Sequence, residues 1–382
     1  MELKSNTQIP FHLPTLTGKE AMFIQELLSD PALINEGIYA SKVEGFFGSL
    51  YPKGISRTTK SCTQAIELAA LLLEIGSGDE VIMPSFTHVS TANPFVLRGA
   101  IPVFVDITPD TMNIDEALIE DAITEKTKAI ITPHYGGVGC EMDTITEIAR
   151  RHNLAVIEDN AHGILATYKN KALGSFGDIS CISFDYQKNI TCHQGGAITI
   201  NSKNLENKFY NSYDFGTNKR EFLAGNVKHY EWMDMGSNYP LSELDATFLC
   251  AQLEESHTIT ENRLYSWNLY YETLWQLCLA EKIVLPKIPA YCDHNGHIFY
   301  IHVTEESQRN KLISYLANEG IVALSHFQPL HSSAFGEKAG RFSGTDDFTT
   351  KLSQRIIRLP LYYNMKQSDI SFISEKVIAF FG

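Results

Sequence analysis

The sequence has no paired-cysteine motif, no long apolar run and no surplus of positive charge. Its seven cysteines (62, 140, 181, 192, 250, 278 and 292) are odd in number, widely spread and without a CxxC pair. That spacing argues against a zinc site, a redox dithiol or a disulfide framework, and the thiols read as small reduced core residues. No apolar stretch approaches the ~18 residues of a membrane span, and the opening MELKSNTQIPFHLP is polar and proline-broken, unlike a signal peptide. The expectation is a soluble, cytoplasmic protein with no membrane partner. With 31 Lys and Arg against 45 Asp and Glu, the net charge is −14. A nucleic-acid surface needs basic stripes that this balance disfavours, so no nucleic-acid partner is expected. Internal repeats and low-complexity segments are also lacking, and no GxGxxG follows a strand-like run.

What is there is a chain of 382 residues with 44% hydrophobic content, enough for a large core and more than one domain. From about residue 55 to 200, continuous apolar runs alternate with amphipathic stretches. EVIMP (80–84), IPVFVDI (101–107), KAIITP (128–133), LAVIED (154–159) and DISCISF (178–184) read as strands buried on both faces. TQAIELAALLLEIG (63–76), IDEALIEDAI (114–123) and DTITEIARRHN (143–153) carry helical periodicity. This alternation predicts an α/β fold with a largely parallel sheet, whose ligands sit beyond the carboxyl ends of the strands. After about residue 240 the pattern changes to one long helical stretch (241–277), then HIFYIHV (297–303) and the helix QRNKLISYLANEG (308–320). The expected division is a large domain over 1–250, with an N-terminal arm, and a smaller C-terminal α/β domain over 251–382.

Three features fall where the strands end. Ser61-Cys62-Thr63-Gln64 precedes a helix and offers it a cap or offers an anion free amides. Glu158-Asp159 closes the LAVI strand, with Asn160-Ala161-His162 behind it. Lys188 sits in SFDYQKNITCHQGG, between two apolar strands and ahead of a glycine pair that permits close approach. Each has an ordinary reading taken singly: a helix cap, a turn carboxylate, a solvated lysine. Together they are the parts pyridoxal 5′-phosphate needs, namely a phosphate anchor, an anion for its ring nitrogen and an amine for a Schiff base.

In order along the chain, SCTQAIELA, GDEVIMPSFTHVSTANPFVLRGAIPVFVDITPDTMNID, HYGG, VIEDNAHG, SFGDISCISFDYQKNI, GGAITI, GTNKR, GSNYPLSELDA and LPLYYN resemble the DegT/DnrJ/EryC1/StrS sugar aminotransferases. The resemblance implies fold type I of the pyridoxal-phosphate-dependent transferases, with a mostly parallel seven-stranded sheet flanked by helices. It implies Lys188 as the Schiff-base lysine and proton carrier, and Asp159 as partner of the ring nitrogen. Cys62, Thr63 and Ser183 would hold the phosphate, and His162 would lie near the ring oxygen. His88 stands where the family carries an aromatic over the ring. Asn238 matches an asparagine that reaches a phosphate across the subunit interface, which implies a homodimer with shared active sites. Lys219 and Arg220, with His326 and His331, are the candidates for substrate contacts, and no metal is expected.

VLRGAIPVFVDITPDTMNIDEALIEDAI and GVGCEMDTITEIARRHNLAVIEDNAHG look most like the branch making dTDP-4-amino-4,6-dideoxy-D-galactose, a sugar of lipopolysaccharide or other surface polysaccharides. The implied substrates are a dTDP-4-keto-6-deoxyhexose and L-glutamate, with pyridoxamine 5′-phosphate as the second cofactor form. Alternatives are another nucleotide keto-sugar, a 3-keto substrate or the 4-amino-glucose epimer. A sugar dehydratase of the superfamily would carry histidine in place of Lys188. A cofactor-sensing regulator would need an added DNA-binding module.

Overall fold

The computed structural model describes residues 8–382. Its main sheet has eight strands in the order Ile55–Thr59, Gly196–Ile200, Ile179–Ser183, Ala155–Asp159, Thr127–Pro133, Glu80–Pro84, Ile101–Val105 and Arg341–Phe342. The strands from 179–183 through 341–342 run parallel, while 196–200 is antiparallel to both of its neighbours. The five apolar runs identified above form these parallel strands, because valine- and isoleucine-rich segments buried on both faces stack well on a pleated surface. Seven strands match the expected sheet, and the eighth is a two-residue addition from the C-terminal region. Arg341 brings it in through a two-pronged pair with Glu80, at 2.8 and 3.0 Å.

Helices cover both faces. The Cys62–Leu72 helix is alanine-rich and almost wholly buried, which lets it lie close to the sheet. The amphipathic Met142–His152 helix sets Met142, Ile145, Ile148 and Ala149 against the other face. Two helical expectations change in detail. The 114–123 stretch forms only a 3₁₀ turn, Glu116–Leu118, and one α-turn, Ile119–Ala122, started by the Asp115 side chain accepting from the Ala117 amide. The long 241–277 stretch is two helices, Glu243–Glu254 and Ser256–Leu279, parted at Glu255, whose φ of −103° and ψ of 10° leave the helical region.

A second sheet, Ile283–Val284, Phe299–Val303 and Ile356–Leu359, packs with the 256–279, Glu306–Asn318 and Gln367–Phe381 helices around a core running from Trp267 to Val377. Buried Asp106, just past the 101–105 strand, ties this region to the main sheet. Its carboxylate accepts from the amides of Asp347, Phe348 and Thr349, and from the Thr349 hydroxyl. Those bonds fix the start of the Thr349–Ser353 helix and, through it, the 356–359 strand.

The main-sheet order reverses at the 80–84 strand: 101–105 lies on one side, and the chain then returns to lay 127–133 on the other. Such a switch opens a crevice at the strands' carboxyl ends. Among the described residues, no helix is long and apolar enough to cross a membrane.

Asp106→Ala should cost about 2–4 kcal/mol, since it strands several buried N–H groups at once. Urea unfolding of the variant measures this, and a loss under ~0.5 kcal/mol would show that the clamp is not needed.

Candidate active site

At the carboxyl edge of the main sheet lies a cavity of about 730 Å³. Asp159, Lys188, Cys62, Thr63, His88, His162, Ser183 and His326, eight of the residues singled out in the sequence, line it.

Asp159 ends its strand almost fully buried, at 7% exposure. One carboxylate oxygen accepts the Thr91 hydroxyl at 2.7 Å; the other accepts the Ala161 amide at 3.3 Å and faces the Cys62 thiol at 3.9 Å. Because Thr91 gives its proton to Asp159, its 2.8 Å contact with Thr87 must be donated by Thr87. Two threonines thus hold the carboxylate in series. Its neighbour Glu158 points the other way, as strand alternation requires. Glu158 accepts from the Gly174, Phe176 and Gly177 amides and from His134 Nε2 at 3.0 Å, so it shapes the loop behind the site.

Ser61 caps the Cys62–Leu72 helix by accepting the Gln64 amide at 3.1 Å. The Cys62 and Thr63 amides have no acceptor among the described residues and open at the cavity. This is the arrangement an anion needs. Gly196 makes it possible: a Cβ there would stand 2.5 Å from the Cys62 nitrogen, so only glycine lets the 196–200 strand run beside the helix start. The glycine pair anticipated in the sequence therefore serves backbone approach.

Lys188 lies in the turn between the 179–183 and 196–200 strands, its amide bonded to the Asp185 carbonyl at 2.9 Å. Burial pulls its pKa below the ordinary lysine value, Arg358 pushes the same way, and Cys62, Asp159 and Asp185 oppose them. A lysine so placed gives up its proton more readily, so more of it stands as the free amine that can act as nucleophile or accept a proton.

The far wall is a cluster of imidazoles and aromatics. His162 accepts the Gly136 amide at Nδ1 and packs on His297 at 4.2 Å. His326 bonds the Tyr135 hydroxyl at 2.6 Å and stacks on Phe327 at 3.8 Å. Burial, reinforced by nearby cations, drives His162, His297 and His326 well below the ordinary histidine value, so they stay neutral. His88 caps the Val89–Val96 helix, its Nδ1 accepting the Ser90 amide, and also lines the cavity beside Phe327. Phe86 is deeply buried there, edge-on to Tyr135.

Four expected residues do not line this cavity. Lys219 pairs with Asp214 at 2.9 Å, and Arg220 lies over the Tyr210 ring at 3.7 Å. Asn238 is exposed and bridges to Asp214 on the same segment. His331 is a strut: its Nδ1 takes the Ser85 hydroxyl at 2.7 Å and its Nε2 faces Asp346 at 3.2 Å, which commits both ring nitrogens. Conversely, Thr91, Tyr135, His297, Phe327 and Arg358 line the cavity but were not singled out. Thr91 and Tyr135 lie inside quoted motifs, PSFTHVST and HYGG, where a hydroxyl next to a strand end was the available signal. Arg358 offered another, a lone cation in the apolar run IIRLPL.

These residues fit pyridoxal 5′-phosphate: free helix amides for its phosphate, Asp159 for its ring nitrogen and Lys188 for covalent attachment. No group of His, Cys, Asp and Glu among the described residues is arranged to hold a metal.

Comparison with known proteins agrees. The chain is 30% identical over 386 aligned positions to the spore coat polysaccharide biosynthesis protein SpsC of Bacillus subtilis, covering 99% of this chain and 98% of the relative. It is 32% identical to the GDP-perosamine synthase of Escherichia coli O157:H7, covering 98% and 99%. A DegT DnrJ EryC1 StrS aminotransferase from Brucella abortus superposes with a TM-score of 0.86 at 26% identity, covering 95% of each chain. With residues 14–378 matching the family as well, the chain belongs to the DegT/DnrJ/EryC1/StrS aminotransferase family and is a pyridoxal-phosphate-dependent sugar aminotransferase.

Proposed function

We propose that the protein transfers the amino group of L-glutamate to C4 of a dTDP-linked 4-keto-6-deoxyhexose, giving dTDP-4-amino-4,6-dideoxy-D-galactose. The observation that carries the chemistry is the convergence of Lys188, Asp159 and the Cys62–Thr63 helix start on one cavity. The two long stretches 96–123 and 137–163 support the sugar and the nucleotide. A full-length relative named as a GDP-perosamine synthase supports amination of a nucleotide-linked sugar and keeps a GDP-linked substrate as the second reading. The relative named for spore coat polysaccharide synthesis supports a role in surface polysaccharides.

When bound, the cofactor supplies the electron sink through which an amine leaves one carbon and is delivered to another. The protein's residues do the rest. The helix amides and Ser183 would grip the phosphate, and Asp159 would favour the protonated ring. Lys188, with its lowered basicity, would take and return the proton at the carbon that bears the amine. The neutral imidazole of His162 would lie near the cofactor's ring oxygen, and those of His297 and His326 would offer bonds to sugar hydroxyls without adding charge.

We propose, too, that the large and small domains divide near residue 250, and that the enzyme is a cytoplasmic homodimer in which Asn238 completes the partner's site. Support comes from the exposed segment around Asn238. Trp232 is 81% exposed and Leu223 73%, with Met233 and Met235 more than half exposed. Apolar surface of that extent calls for a covering partner.

Incubation of the enzyme with glutamate and a panel of dTDP-, GDP- and UDP-linked keto-sugars should give, by mass and NMR, one dominant product aminated at C4 of the dTDP sugar. Preference for a GDP sugar would move the assignment to the second reading. Subunit exchange tests the shared site. Neither Lys188→Ala nor Asn238→Ala homodimers should be fully active, and mixing them should restore activity above both parents, because one site in each heterodimer is whole. No gain despite proven exchange would remove Asn238 from the partner's site.

A further inference from the structure

Asn189, the residue after Lys188, decides which nitrogen of His297 carries a proton. Its buried side-chain amide makes two bonds. Nδ2 donates to the Asn295 carbonyl at 3.0 Å, and Oδ1 meets His297 Nδ1 at 2.9 Å. A backbone carbonyl only accepts, so the amide cannot turn over, and its oxygen can be met only by an N–H. His297 is therefore protonated at Nδ1, which donates to Asn189. Burial drives the ring well below the ordinary histidine value, so it stays neutral and Nε2 keeps a bare lone pair. His297 lines the cavity, and its Nε2 has no hydrogen-bond partner among the described residues.

The lock is itself held. The Asn189 carbonyl accepts the buried Thr15 hydroxyl at 3.0 Å, and Gln252 joins the Thr15 carbonyl, at 3.1 Å, to the Thr191 amide, at 3.4 Å. The N-terminal segment thus fixes the turn that carries both Lys188 and Asn189. The neighbouring imidazole has the opposite polarity. His162 Nδ1 accepts the Gly136 amide, so the proton of that neutral ring sits on Nε2. Two rings 4.2 Å apart thus bring one donor and one acceptor to the cavity wall.

A fixed lone pair selects a ligand that donates. Glutamate gives it nothing, because its carboxylates accept and its amine is the group being transferred. The keto-sugar carries hydroxyls. Beside C4 of a 4-keto-6-deoxyhexose stand C3, with a hydroxyl, and C5, with the ring oxygen and a methyl group, so one donor adjoins the reacting carbon. Its hydrogen bond to the residue next to Lys188 keeps His297 close to where that carbon must react. We infer that His297 accepts the C3 hydroxyl of the keto-sugar at Nε2, and that Asn189 is the positioning residue that keeps this nitrogen unprotonated. The inference rests on the 4-keto-sugar reading given above and deepens it, since the ring then acts as a directional filter in the sugar half-reaction alone.

Two measurements on the pyridoxal-phosphate-loaded enzyme test this. ¹⁵N NMR of histidine-labelled protein, with His297 assigned by the signals lost in His297→Phe, reads the tautomer without turnover. The wild type should show a protonated Nδ1 and a bare Nε2, and Asn189→Ala should move part of the proton to Nε2. Stopped-flow absorbance then compares the dTDP-4-keto-6-deoxyhexose with its 3-deoxy analogue on the pyridoxamine form. The analogue should lose about 10- to 100-fold in kcat/KM with the wild type, but less than about threefold with His297→Phe. Should the phenylalanine variant not fold, His297→Asn, which can keep the bond to Asn189, takes its place. A protonated Nε2 in the wild type, a wild type that treats the two sugars alike, or a penalty that persists in the variant would each overturn the inference. In each of those cases the wild-type enzyme still aminates the keto-sugar, so the function stands. A wild type inert toward 4-keto-sugars would instead overturn the proposed substrate, and this inference with it.

Discussion

The whole site depends on one buried carboxylate held still at the end of one buried strand. Asp159 can be there because the 155–159 strand is apolar on both faces up to its last two residues, and because Thr91, Ala161 and Cys62 hold the carboxylate in place at the cavity wall. The Thr87–Thr91 relay comes from the turn after the 80–84 strand, two places along the sheet, and from the helix that follows it. The Cys62 helix packs across the same sheet. Strand order, helix packing and cap chemistry are therefore all read out in the position of two oxygen atoms. Sites built on regular elements in this way hold geometry better than sites built on loops alone.

The second constraint is the joining of two cores. Asp106 binds the 347–349 segment, and Glu80 binds Arg341, so the C-terminal sheet is fixed against the carboxyl edge of the main sheet. That attachment carries Arg358, His297, His326 and Phe327 to the far wall of the cavity. One wall, from the main sheet, bears the groups suited to the cofactor. The other bears one cation and several neutral imidazoles, suited to ligands that differ from one half-reaction to the next.

How far the sequence could be read follows from the range of the interactions. The parallel strands were legible because double-sided burial leaves a local signature, and Lys188, Asp159 and the helix start were legible because each sits next to a strand end or cap. The break at Glu255 was not, since both flanking helices share one apolar pattern and only the backbone turn divides them. Arg358 and His297 lie more than a hundred residues from Lys188, and only tertiary packing brings them to the cavity. His331 shows the converse. Its proximity in sequence to His326 suggested a shared role, but Ser85 and Asp346 engage both of its nitrogens elsewhere.

The most direct measurement is the ¹⁵N NMR shift of ring-labelled pyridoxal phosphate bound to the enzyme at neutral pH. A carboxylate facing the ring nitrogen from Asp159 should hold it protonated in the wild type, and Asp159→Asn should release the proton while the cofactor stays bound. An unprotonated ring in the wild type, or a protonated ring that survives the substitution, would contradict the central place given to Asp159.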